Sequence, residues 1–389
     1  MNNSCTYVKL KDICDFINGD RGKNYPSIKD FVQKGIPFIN AGHIVENRLN
    51  FENMNYINEE KYEILGSGKI KKNDIVYCLR GSLGKNAIVE IDKGAIASSL
   101  VILRPKKNLV NTDYLFRYLN SKEIQEQINR ANNGSSQPNL SATSVKEFKI
   151  FLPDYDLQNK ISKTLIKAQE LIDKRKKQLE ALDELVKSRF IEMFGDPVTN
   201  SKGWNKEKLS ELGELSRGKS KHRPRNAPGL LNGPYPLIQT GDIANAGIYL
   251  KEYTQTYSEL GLKQSKMWKK GTLCITIAAN IAKTSILTFD ACFPDSVVAF
   301  IPSEKTNNMF IQFWMSFLQK ILEDSAPESA QKNINLKILS EQNVIVPPIE
   351  LQNQFADFVN QVDKLKFEAQ KSLTEMENNF NSLMQRAFK

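Results

Sequence analysis

LQNKISKTLIKAQELIDKRKKQLEALDELVKSRFIEMF, running from Leu157 to Phe194, is the stretch whose reading decides the fold. Ile161, Leu165, Ala168, Ile172, Arg175, Leu179, Leu182, Val186 and Met193 recur at alternating steps of four and three. Arg189 takes the seam place between Val186 and Met193, and Leu171 and Leu185 widen the seam to a stripe. That spacing predicts one long helix with an apolar face. No Pro or Gly interrupts it before Gly195, and Pro197 follows at once, which reads as a helix stop. About 38 residues at about 1.5 Å each make a rod of about 57 Å, and its seam needs a partner.

The C-terminal stretch supplies one. From Leu351 onward, Phe355, Phe358, Val362, Leu365, Ala369, Leu373, Met376, Phe380, Leu383 and Ala387 step mostly by three and four. Leu157, Gln158 and Asn159 return as Leu351, Gln352 and Asn353, an offset of 194. Pro153 matches Pro347, Ser188 matches Ser382 and Phe194 matches Phe388 at the same offset. The two helices are expected to pair with each other.

The repetition extends upstream. Lys9-Leu10 resembles Lys208-Leu209, and Pro37, Ile39, Gly42 and Ile44 return as Pro236, Ile238, Gly241 and Ile243. KKNDIVYCLRGSLGKNAIV (Lys71 to Val89) falls on KKGTLCITIAANIAKTSIL (Lys269 to Leu287). SSLVILRP at Ser98 falls on DSVVAFIP at Asp295, and SSQPNL at Ser135 on SAQKNI at Ser329. The matches keep their order, so the chain is one unit duplicated, with a period too long for a solenoid. Short β-like runs (Ile36 to Asn40, Asp74 to Leu79, Ala87 to Ile91, Leu100 to Leu103, Lys149 to Leu152) alternate with polar loops. Helical patterns fall at Thr112 to Asn129 and Asn308 to Leu322. The expected fold class is α+β: globular halves at 1–152 and 201–346, joined by long helices at 153–200 and 347–389 that pack as an antiparallel coiled coil. Such an object suits a target with two separated half-sites.

Lys plus Arg number 54 against 44 Asp plus Glu, a net charge of +10. That excess suits a polyanion partner, although ordinary solubility charge also produces it. Five cysteines without CxxC spacing and only His43 and His222 argue against a disulfide framework or a zinc site. No apolar run approaches the ~18 residues of a membrane span and the N-terminus lacks a signal-peptide pattern, so the chain reads as cytoplasmic.

GELSRGKS (Gly213 to Ser220) fits a phosphate-binding loop literally, but that motif needs a following helix, and Pro224 and Pro228 bar one. The same segment reads better as a basic row. Arg217, Lys219, Lys221, Arg223 and Arg225 occupy every second position, so an extended backbone would turn them one way, toward a phosphate backbone. Arg21, Lys23 and Asn24 form a comparable loop in the first half. Three further loops recur. Asn40 and His43 match Gln239 and Asp242; Arg80, Ser82 and Lys85 match Asn280 and Lys283; Ser135, Gln137 and Asn139 match Gln331, Lys332 and Asn333. Arg, Lys, Asn and Gln pair with base edges, while Gly, Ser and Asn also simply build turns. At matched places the chemistry differs, so one scaffold would read two sequences. Nothing in the sequence forms a catalytic triad, a metal cluster or a Gly-rich cofactor loop after a strand.

Two half-repeats, each a globular domain followed by a long helix, resemble the specificity subunit of type I restriction–modification enzymes. The junction SRFIEMFGDPVTNSKGW (Ser188 to Trp204) and the helix starts LPDYDLQNKI and VPPIELQNQF are similar to that family's segments. The resemblance implies that each globular half is a target recognition domain reading half of a bipartite, asymmetric site on double-stranded DNA. It also implies that the helices hold two methyltransferase (modification) subunits, with room for ATP-driven restriction subunits. S-adenosylmethionine and ATP would belong to those partners, leaving no cofactor and no catalysis in this chain. The competing class is a cofactor-binding enzyme, a DNA methyltransferase or P-loop ATPase with a coiled coil; a third is a bare coiled-coil scaffold.

Overall fold

The computed structural model describes residues 6–132, 138–222, 224–225, 227–324 (side chains to 319) and 334–388. The chain divides into two compact units. One gathers the chain up to Lys176 together with the stretch from Lys371 onward, and the other is Lys177–Gln370. Each therefore holds one globular half and a part of both long helices.

In the first unit, an antiparallel sheet runs in the order Cys14–Asn18, Leu100–Pro105, Ile75–Cys78, Asn86–Ile88. Ile75 to Cys78 are all buried, as a central strand covered on both faces must be. A second sheet orders Ala95–Ile96, Ile36–Ile39, Asn55–Ile57 and Phe31–Val32, its first pair parallel. Thr6–Lys9 pairs with Lys149–Leu152, closing the globular half beside the start of the first long helix. The second unit repeats this plan. Gly213–Arg217, Val297–Pro302, Leu273–Thr276 and Thr284–Leu287 follow in the same order, with Tyr249–Leu250 added at the edge. Lys206–Lys208 pairs with Asn343–Ile345 as the counterpart of the closing ribbon. The fold is α+β: two repeated globular halves joined by two long antiparallel helices. None of the described helices is long and apolar enough to cross a membrane.

The expected helix Thr112 to Asn129 is two helices, Thr112–Leu119 and Lys122–Ala131. Asn120 turns its side-chain amide back onto the Phe116 carbonyl at 2.7 Å, and Ser121 starts the next helix by capping the Ile124 amide.

The long helices span Tyr155–Phe194 and Ile349–Phe388. Asp154 caps the first by accepting from the Leu157 amide at 2.8 Å. Gly195 ends it in the left-handed region, at φ 76°. In the first unit, Ile161 and Leu165 pack in the same core as Leu383, Ala387 and Phe388, and Lys176 meets Glu377 at 3.3 Å. In the second, Phe190 meets Phe355 edge to face (ring centroids 5.3 Å), and Asp183 pairs with Lys366. Residue numbers rise on one helix as they fall on the other, an antiparallel pairing within each unit. The seam differs from the sequence expectation at its margins. Leu171, Leu185 and Leu365 stand 55%, 47% and 59% exposed, whereas Phe190 and Val359, off the expected seam, are wholly buried. Each helix packs on a globular half as well as on the other helix, and periodicity alone cannot say where that second contact falls.

The repeated Leu-Gln-Asn acquires a physical meaning here. Gln158 is 1% exposed, and its carboxamide is saturated. Oε1 accepts from the Asn111 amide at 2.8 Å, while Nε2 donates to the carbonyls of Pro153 (2.9 Å) and Leu109 (3.2 Å). Asn159 accepts from Asn111 Nδ2 at 2.8 Å. The second unit duplicates the knot. Gln352, wholly buried, accepts from Thr306 Oγ1 and the Asn307 amide and donates to Lys305 and Pro347, and Asn353 accepts from Asn307 Nδ2. Each knot ties the head of a long helix to a loop of its own globular half, the one before Thr112–Leu119 in the first and the one before Asn308–Asp324 in the second. Gln158→Leu would strand one amide and two carbonyls, so a loss of about 2–4 kcal/mol is expected in denaturant unfolding of the full chain. Unfolding of Q158L at the wild-type midpoint would show that this amide is not the tie.

Candidate nucleic-acid interface

In the first unit the loop Ala97–Ser99 is a hub. The Ala97 amide donates to Ile39 O (2.7 Å), the Leu79 amide to Ser99 O (2.9 Å) and Arg21 Nη2 to Ser98 O (3.3 Å). Arg80 forms an isolated bridge with Asn139, and the Leu140 amide donates to Leu79 O at 2.8 Å. Lys85 Nζ reaches Ala41 O at 3.2 Å. Four loops separated in sequence thus meet at the hub through the ends of the strands. Gly19 permits it, because a Cβ there would lie 2.4 Å from Ala97 O; matched Gly218 would meet Pro294 O at 2.2 Å.

Within this cluster Lys23, Arg80, Ser82 and Asn139 are exposed. The Arg80 guanidinium has no hydrogen bond or ion pair among the described residues, so its donor fork is free for a ligand. Asn24 is engaged with Ile64 O at 2.8 Å. Asn40 and His43 are turn builders. Asn40 Oδ1 accepts from the Gly42 amide, and His43, 7% exposed, accepts the Asn40 amide on Nδ1 at 3.1 Å. His43 therefore does not reach the surface as a reading residue. At the matched place Asp242 does the same work, its carboxylate accepting the Gln239 amide at 2.8 Å. The difference in chemistry there serves one cap in two ways. Ser135, Gln137, Arg223, Gln331, Lys332 and Asn333 lie outside the described residues.

In the second unit the strand ends at Arg217, so regular pleating does not carry the basic row through Arg225. Exposure still alternates over five residues: Arg217, Lys219 and Lys221 are exposed, Gly218 and Ser220 buried. A turn at Pro224 and Arg225 follows, then the short helix Pro228–Leu230, so the literal phosphate-loop motif lacks its helix. Arg217 donates through Nε (2.9 Å) and Nη2 (2.6 Å) to Asp295 O, and Arg225 pairs with the Asp295 carboxylate. Lys283 Nζ donates to Gln319 Oε1 (3.1 Å) and Gln239 Nε2 to Gln255 Oε1 (3.2 Å), while Asn280 is exposed. Sequence reasoning overlooked Asp295 as part of the site. Its signal was an acid standing where the first repeat has Ser98.

The loop bearing Arg80 and its counterpart share a backbone but not a composition. Gly81 and Gly84 adopt φ of 76° and 78°, and the matched Ala279 and Ala282 adopt 63° and 56°. An alanine in the left-handed region is strained. Ala279 is exposed, so Ala279→Gly removes strain without losing packing, and a gain of about 0.5–1 kcal/mol in unfolding free energy is expected.

Burial pushes the His43 imidazole below the ordinary value of 6.5, and only a neutral Nδ1 can accept the Asn40 amide. A depressed folded pKa means that the contribution is present above pH 6.5 and drains as pH falls through the folded value. Urea unfolding at about pH 7.5 and about pH 5 should show a smaller acid loss for His43→Gln than for wild type. Equal losses would mean that this ring is not part of the acid sensitivity.

A family model described as the type I restriction modification DNA specificity domain matches residues 2–183 and 201–377. The chain is 24% identical over 381 residues to the MjaX specificity subunit of a type I restriction enzyme of Methanocaldococcus jannaschii, covering 92% of this chain and 86% of the relative. It is 22% identical over 424 residues to the HindI specificity subunit of Haemophilus influenzae, covering 88% and 91%. Among solved structures, the S subunit of a type I restriction–modification system from M. genitalium superposes with a TM-score of 0.59 at 16% identity, covering 100% and 98%. A chain from a study of complex assembly and conformational transition in a type I R-M system gives 0.64 at 17%, covering 99% and 97%. At those identities the structural likeness speaks to the fold.

Proposed function

The chain belongs to the type I restriction–modification DNA specificity family, and on that premise we propose that its two globular halves read the two parts of a bipartite, asymmetric DNA site. It is the specificity subunit, the non-catalytic component, and S-adenosylmethionine and ATP belong to the partner subunits. Residues 1–152 and 201–346 act as the recognition domains, and 153–200 and 347–389 as the spacer helices. The observation that carries the reading is the gathering of basic and amide side chains from separate loops at one hub in each half. In the first half Arg80, Ser82, Lys85 and Asn139 face the DNA beside Arg21 and Lys23. In the second, Arg217, Lys219, Lys221, Arg225, Asn280 and Lys283 do so. His43 and Asp242 support these loops from behind, as Asn40 and Gln239 do.

The long helices carry two methyltransferase subunits, and restriction subunits join that complex. Leu171, Leu365 and Phe367, each more than half exposed on a helix, suit such docking. The complex works in the cytoplasm, where its DNA is.

Co-expression with the methyltransferase subunits and mapping of methylated DNA tests the reading. A two-part motif with a fixed spacer is expected. Arg80→Ala should relax one position in one half-site only, at about 1–3 kcal/mol, and leave the other half-site unchanged. Binding should weaken with salt, with a log–log slope of about −0.9 per phosphate neutralised. A shift in both half-sites, or turnover of S-adenosylmethionine or ATP by the pure chain, would overturn it.

A further inference from the structure

The basic strip of the second unit has an acid at its centre. No Asp or Glu lies between Ser216 and Asn226, yet Asp295 reaches the strip from the loop before Val297–Pro302. Its main-chain oxygen takes two bonds from the Arg217 fork, at 2.9 and 2.6 Å, and its carboxylate pairs with Arg225. Elsewhere the strip is fastened through its backbone. The Gly218 amide donates to Val297 O (2.8 Å), Lys219 O accepts from Ser265 Oγ (2.9 Å), and the Lys221 amide donates to Gln264 Oε1 (2.6 Å). Those bonds leave the Lys219 and Lys221 side chains exposed.

A carboxylate on a surface that meets a polyanion opposes binding. Its place there makes sense as a device for orientation. A charge-assisted bond fixes a planar guanidinium in one pose, and the donors left over then meet a base edge or phosphate without further loss of side-chain freedom. At the matched place in the first unit, Ser98 offers Arg21 a carbonyl at 3.3 Å and has no carboxylate to hold a second arginine.

We infer that Asp295 is a specificity-determining positioning residue of the second recognition domain: with its carboxylate and carbonyl it presets Arg225 and Arg217, trading general affinity for discrimination. The inference rests on the DNA reading proposed above. The full chain, in complex with its methyltransferase subunits, is compared as wild type, Asp295→Ser, Arg225→Met and the double variant. The duplexes carry the mapped target, or the target with either half-site scrambled.

For Asp295→Ser, affinity for DNA scrambled in the second half-site stays level or rises, because a negative charge is gone. Preference for the intact second half-site falls at least about tenfold, and preference at the first half-site is unchanged. Arg225→Met lowers the same preference. Adding Asp295→Ser to it costs less than Asp295→Ser alone, since the carboxylate acts in part through that arginine. Retained preference in Asp295→Ser, no effect of Arg225→Met, or independent losses that multiply in the double variant would overturn the inference. So would equal losses at both half-sites with a lowered melting midpoint, the mark of a purely structural acid. A wild-type complex with no preference among the duplexes would overturn the DNA reading itself, and this inference with it.

Discussion

A buried primary amide at the head of each long helix is the constraint on which the rest depends. Gln158 and Gln352 each lie under a loop of their own globular half, before Thr112–Leu119 and before Asn308–Asp324, with their donors and acceptors satisfied. A buried carboxamide is costly unless saturated, so the loop, the proline-bearing helix start and the helix must keep one geometry. The globular half and the helix then share one core. Tyr114 and Tyr118 close on Phe388 in the first unit, and Phe310 closes on Phe190 and Phe194 in the second. Ion pairs add lighter contacts, Arg48 with Asp173 at 2.5 Å and Lys251 with Asp363 at 3.7 Å. Exposed pairs of this kind contribute little beside a shared aromatic core.

On that frame the two copies have diverged in a consistent way. Positions that hold the backbone keep their role with altered chemistry: His43 and Asp242 both cap the turn behind their loop, and Gly81 and Ala279 share a left-handed conformation. Positions that face outward change what they offer. Arg80 is unengaged among the described residues, whereas Arg217 and Arg225 are both held by Asp295. Duplication followed by change at loop tips leaves the sheet order intact because the strands are buried and the tips are not.

The amino-acid sequence by itself determined the duplication, the two long helices, the α+β class and the positions of the longer buried strands of the first half, such as Ile36–Ile39, Ile75–Cys78 and Leu100–Pro105. Those features rest on local periodicity and on residues that recur at a fixed offset, which a linear reading detects. The stop at Gly195 was legible because a left-handed residue after a helix favours glycine. Tertiary structure decided what depends on contacts between distant residues. It put Leu171 and Leu365 in solvent and Phe190 and Val359 inside, because each helix has two neighbours and its pattern describes only one. It turned His43 inward, since burial is a property of the surroundings and not of the residue. It joined Arg217 to Asp295, 78 residues apart, and gave the repeated Gln158 a partner at Asn111, because a hydrogen bond forms wherever folding brings donor and acceptor together.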